Sequence, residues 1–117
     1  MRDPGRLHVV DAALRVAELT YDVTRRFPAA ERQGIVSQMR RAAVSIGSNI
    51  SEGCGRSSEK QFAAFLQIAM GSACELEFQC RLASVLRLGV PAELAELRGA
   101  IELVKRMLAK LAVAVRD

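Results

Sequence analysis

Residues 92–115 read AELAELRGAIELVKRMLAKLAVAV. Within them Leu94, Leu97, Ile101, Val104, Leu108, Leu111 and Val115 recur at alternating steps of three and four residues. An α-helix completes a turn in about 3.6 residues, so this spacing puts every one of them on a single side of a helix. Arg98, Lys105 and Arg116 fall on the other side. A helix with one apolar side needs partners to cover it, and the rest of the chain has to supply them.

Working outward, Gly89-Val90-Pro91 separates this helix from the one before it, since Gly stops a helix and Pro starts one. Gly53-Cys54-Gly55-Arg56-Ser57-Ser58 makes a second break, with Ser58 and Gln61 spaced as a capping box. Phe27-Pro28 makes a third, and Pro4-Gly5 ends a short arm over residues 1–6. Four segments remain, near 7–26, 29–52, 58–88 and 92–115, and no run alternates with the period of a strand. The expected fold is all-α: one domain over 1–117, an antiparallel up-down four-helix bundle.

The first and third segments carry apolar residues on two sides. On the first, Val10, Ala13, Leu14, Ala17 and Tyr21 form one face, and Ala12, Val16, Leu19 and Val23 another. On the third, Phe65, Ile68, Leu76, Ala83 and Leu86 share a face, while Met70, Cys74, Phe78, Val85 and Leu88 lie around the back. Scattered surface aliphatics need no explanation, but two-sided helices in a small chain point to subunit contacts, so a homo-oligomer is expected.

A chain of 117 residues suits one domain and buries roughly 65% of its unfolded surface. With four Phe, one Tyr and no Trp, the core has to be aliphatic. Cys54, Cys74 and Cys80 contain no CxxC pair and no zinc pattern, which fits a reducing compartment. Cys74 and Cys80 would point ~120° apart on one helix and cannot bridge locally. No apolar leader and no membrane-length run is visible, so a cytoplasmic protein without a membrane partner is expected. No metal or cofactor motif is present, and none is expected.

Polar residues on apolar faces are the most informative. Gln38, Arg41, Ser45, Asn49 and Glu52 form one stripe on the second helix, beside Ile35, Met39, Ala42, Ile46 and Ile50. On the third, Ser72, Glu75 and Gln79 project with the apolar residues, so Glu75 is expected in the core. Folding the hairpin about 53–57 brings Arg41 and Glu75 to similar depth, which predicts a buried ion pair with Ser45 and Ser72 nearby. Removing Glu75 would then strand Arg41 at a cost of ~3–5 kcal/mol. Two readings follow: a structural network of Gln38, Arg41, Ser45, Asn49, Glu52, Ser72 and Glu75, or a polar pocket with Glu52 and Glu75 as acid and base. No nucleophile with an evident base accompanies them, so the structural reading is preferred and no catalytic residue is assigned.

His8 is the lone histidine. Arg2-x5-His8 is similar in spacing to the HEPN ribonucleases, but Pro4-Gly5 would place the pair on the arm and not on a core helix. The Gly53–Ser58 loop lacks the Gly-Lys-Ser/Thr ending of a phosphate-binding loop and reads as a helix stop followed by a cap.

The net charge of +4 comes from 17 basic and 13 acidic residues. That surplus permits contact with RNA, DNA or an acidic partner without demanding it. Candidate nucleic-acid contacts are Arg25, Arg26 and Arg32 around the first turn, Arg40, Arg56 and Lys60, and Lys105, Arg106 and Lys110 on the last helix. A symmetric oligomer would multiply this charge. Aromatic residues are not interleaved with it, so base stacking is not indicated.

Three motifs stand together: Tyr21-x5-Phe27-Pro28-x2-Glu31; Gln38-x-Arg40-Arg41-Ala42-Ala43-x-Ser45-Ile46-x-Ser48-Asn49-Ile50-x-Glu52-Gly53; and Phe65-Leu66-x-Ile68-Ala69-x-Gly71-Ser72-x2-Glu75-Leu76-Glu77. From Tyr21 to the last helix the chain resembles the four-helix bundle proteins of the 23S rRNA intervening-sequence (S23-like) family. Val9-Val10 departs from the aromatic that members often carry near the start. The resemblance implies an up-down bundle assembled as a homopentamer around a central channel, with no known enzymatic activity. Some members are encoded within rRNA intervening sequences, and related basic pentamers bind a reverse transcriptase and nucleic acid. The expected function is therefore a non-enzymatic oligomeric scaffold contacting nucleic acid or a nucleic-acid enzyme; the alternative is a purely protein-binding oligomer.

Overall fold

A computed structural model describes residues 4–116, with side chains from 8 to 115. Four long helices make up nearly all of it: α1 Pro4–Arg25, α2 Ser37–Cys54, α3 Glu59–Val85 and α4 Pro91–Arg116. No strand occurs among the described residues. A 3-10 turn at Ala29–Glu31 and a wider π turn at Arg32–Val36 join α1 to α2, and the backbone leaves helical geometry at Gly34 (φ −109°, ψ −113°). The 27 residues of α3 span ~40 Å at 1.5 Å each, which accounts for the long axis of a molecule measuring 44 × 23 × 19 Å.

Each helix packs on two others: α2 lies against α3 and α1, and α4 against α3 and α1. Gly53 meets Phe62 close to the loop, and Ser45 meets Ser72 further along the same pair. Leu94, Leu97, Ile101, Val104 and Leu108 of α4 are all buried, as the spacing predicts. They meet Met39, Ile46 and Ile50 of α2 and Val9, Val16 and Val23 of α1 in one core. Alanines at 42, 43, 69, 73 and 83 are buried too, and their small side chains let the helices approach closely. Thr20 and Thr24 enter the core because their hydroxyls donate to the carbonyls of Val16 and Thr20, both at 2.7 Å.

Several sequence expectations need correction. Residues 4–6 of the expected arm belong to the first helix, while residues 1–3 lie outside the described residues: α1 runs from Pro4, where a proline costs a helix nothing because the first N–H groups have no intrahelical acceptor. His8 therefore stands exposed on α1, and Arg2 lies outside the described residues. Helix α2 continues through Gly53 and Cys54, and the connection shrinks to the residues after it. A Cβ at Gly53 would come 2.9 Å from both Phe62 and Phe65, so glycine is needed there for close packing. The face assigned to the core of α3 is also shifted. Phe62, Leu66, Ala69, Ala73, Leu76, Cys80 and Ala83 are buried, whereas Ile68 and Leu86 are each 52% exposed. On α1, Leu14 and Tyr21 likewise lie outside.

Candidate functional site

The two ends of the groove between α1 and α2 differ in chemistry. One end is apolar: Val10, Leu14 and Ala17 of α1 face Ala43, Val44 and Gly47 of α2 across a recess of about 350 Å³. The other is larger, about 1000 Å³, and basic. Arg25, Arg32, Arg40 and Arg41 line it, together with Tyr21, Thr24, Phe27 and Val36, and no carboxylate does. Val44 and Ser48 belong to both ends.

Local structure explains the convergence. α1 ends at Arg25, and the short turns at 29–36 carry Arg32 back beside it before α2 begins. Arg40 reaches across from α2: its Nε donates to Thr24 Oγ1 at 2.9 Å, an Nη donates to the Tyr21 carbonyl at 3.4 Å, and its guanidinium lies 4.4 Å from the centre of the Tyr21 ring. A guanidinium stacked on an aromatic face is held in place and keeps its charge. Thr24 can accept this bond because its own proton is committed to the Thr20 carbonyl.

Carboxylates occupy other arginines and lysines. Arg25 pairs with Asp22 at 2.9 Å, Arg26 with Glu93 at 3.0 Å, Arg56 with Glu52 at 3.1 Å and Lys105 with Glu77 at 3.0 Å. The hydrogen bond to Glu77 raises the pKa of Lys105. Arg32, Arg40 and Arg41 have no ion-pair partner among the described residues, so the basic end holds uncompensated charge. Of the candidate contacts expected from sequence, Arg25, Arg32 and Arg40 meet here, while Arg26, Arg56, Lys60, Lys105, Arg106 and Lys110 lie elsewhere on the surface.

The polar network is only partly assembled, and the buried ion pair does not form. Ser45 Oγ and Ser72 Oγ share a hydrogen bond of 2.8 Å, and Asn49 Nδ2 donates to the Ser45 carbonyl and to Ser45 Oγ at 2.8 and 3.0 Å. Arg41 and Glu75 line one open pocket with Gln38, but both are exposed and no bond joins them. Helix geometry explains this: the buried stripe runs through Ala73 and Leu76, and Glu75 sits one residue off it, where water solvates the carboxylate. Glu52 leaves the network for Arg56 and lines a different pocket from Glu75, so the two do not form an acid–base pair. Sequence reasoning placed Arg41 in the network and missed the roles of Tyr21 and Thr24. The Arg40-Arg41 doublet was visible, but nothing in the sequence pairs residue 40 with residues 21 and 24.

Comparison with known proteins follows the same lines. The family model described as "23S rRNA-intervening sequence protein" matches residues 5–110. A crystal structure of a protein of unknown function from the S23 ribosomal protein family of Bacteroides thetaiotaomicron has a TM-score of 0.85 at 20% identity, covering 92% of this chain and 97% of that one. At that identity the likeness bears on the fold alone. No curated protein matches the sequence.

Proposed function

The chain belongs to the 23S rRNA-intervening sequence protein family, and from that premise we propose that it is a non-enzymatic accessory protein that grips a nucleic-acid backbone in the basic end of its α1–α2 groove. The observation that carries this reading is a concave surface lined by four arginines and no carboxylate. The planar, forked donors of Arg match the oxygens of a phosphate two at a time, which is why Arg is over-represented where phosphates are bound. The family's name points toward RNA, and a nucleic-acid enzyme such as a reverse transcriptase is the protein partner the resemblance implies.

The reading includes self-assembly. The pairings of Gly53 with Phe62 and Ser45 with Ser72 support an antiparallel up-down bundle. Phe78, Leu82 and Val85 of α3 are exposed by 64%, 37% and 76%, and the apolar end of the α1–α2 groove lies on other helices. Two different apolar surfaces on one chain suit a head-to-tail contact, which closes into a ring when the rotation between successive copies divides a full turn. A homopentamer built this way would repeat the basic groove around its axis and multiply the +4 charge.

The test is RNA binding measured against salt. The log of affinity should fall linearly with the log of salt, and Arg32→Ala with Arg41→Ala should weaken binding and flatten the slope by about 1.5. No binding at low salt, or a double variant that binds like the original, overturns the nucleic-acid reading and leaves a purely protein-binding oligomer.

A further inference from the structure

We infer that the basic end of the groove takes a short run of unpaired nucleotides, phosphates on its arginine rim and a base against its floor, and does not take a duplex. The inference rests on the nucleic-acid reading above and goes further, to the form of nucleic acid.

Three observations support it. The first is shape: at about 1000 Å³ the recess lies at the upper end of the size typical of small-ligand pockets. A rigid duplex presents phosphates on a convex surface and would touch only the rim. The second is the floor. A surface that only tracks phosphates has no use for apolar walls, yet Phe27 and Val36 underlie this one, 7% and 5% exposed, and Tyr21 stands at its side, 39% exposed with Arg40 stacked on it. An unstacked base can lie against an aromatic ring or a guanidinium plane, and both are offered together. The third is a fixed polar group. Asn49 lines the recess with its Nδ2 committed to Ser45 and its Oδ1 unbonded among the described residues. That orients the amide and leaves an acceptor for the exocyclic amine of a base. Arg32 and Arg41, without ion-pair partners among the described residues, supply the phosphate contacts. Composition did not indicate base stacking; the placement of Tyr21 among the arginines is what favours it here.

The experiment compares an eight-nucleotide single-stranded RNA with a blunt RNA duplex of the same sequence, titrated against the full chain at one low salt concentration. Single-stranded RNA should bind at least tenfold more tightly. Tyr21→Leu and Asn49→Ala should each weaken it about fivefold or more and weaken duplex binding by a clearly smaller factor, whereas Arg32→Ala should weaken both alike. Circular dichroism melts of each variant establish that it is folded, and Asn49→Ala serves alone if Tyr21→Leu is not. Duplex binding equal to or tighter than single-stranded binding, or Tyr21→Leu and Asn49→Ala both binding like the original, overturns the inference while the broader nucleic-acid reading stands. Failure of both RNAs to bind overturns both.

Discussion

At Gly89 the backbone takes φ +72°, and a Cβ there would approach the Phe27 ring to 2.7 Å. The turn thus closes over the end of α1 only because no side chain intervenes. Gly89→Ala combines left-handed strain with a steric clash and should cost on the order of 1–3 kcal/mol, read as a lower midpoint in urea. Cys80 behaves differently from Cys74, which is exposed. Burial pushes the Cys80 thiol up to about 12 from an ordinary 9.0, partly opposed by Arg98 and reinforced by Glu77. A raised acid pKa means that the fold keeps a proton the unfolded chain releases. Its contribution to stability is therefore whole below pH 9.0 and drains away as the pH climbs toward 12. Alkylation at neutral pH, followed by mass spectrometry, should label Cys74 and spare Cys80 until the chain unfolds. Residue placement was partly legible. The aliphatic positions of α4 read correctly from spacing alone, but Glu75 was assigned to the core because periodicity cannot fix the phase of a helix that carries apolar residues on two sides.

Helices α1 to α4 were legible as elements, and their ends less so. Gly89 reads as the stop of α3, yet α3 ends four residues earlier at Val85. The chain turns at Arg87, whose φ of 59° is the left-handed conformation usually filled by glycine. Leu88 N–H donates to the Ala83 carbonyl at 2.9 Å and Arg87 N–H to that of Ser84 at 3.1 Å, the pair of bonds that closes a Schellman motif. No sequence rule would choose Arg for that place. Arg87→Gly should therefore stabilise the chain by about 0.5–1 kcal/mol, since relief of left-handed strain exceeds the added freedom of the unfolded glycine. A thermal melt shifted upward would show it. At the opposite end of α3 the sequence signal was sufficient: Ser58 Oγ accepts from Gln61 N–H at 3.0 Å, as the cap spacing foretold.

For the whole molecule, the decisive question is what covers Phe78, Leu82 and Val85, which α3 holds out to solvent. If a neighbouring copy does, Phe78→Glu should place a charge in an apolar contact and reduce the mass measured by light scattering to that of one 12.7 kDa chain, with helicity preserved. An unchanged assembly, or an original protein that is already monomeric at micromolar concentration, would contradict the ring. The basic groove was the least legible feature of all. Its residues come from the end of α1, the turn after it and α2 as far as Asn49, and only folding brings these segments together. The groove also provides a measurement at no cost in labelling. The chain has one tyrosine and no tryptophan, so all of its ultraviolet emission above the phenylalanine band originates from the ring beneath Arg40. Any guest that displaces that guanidinium, or lies on that ring, would dim or shift the light of the entire protein, making it its own optical gauge of occupancy.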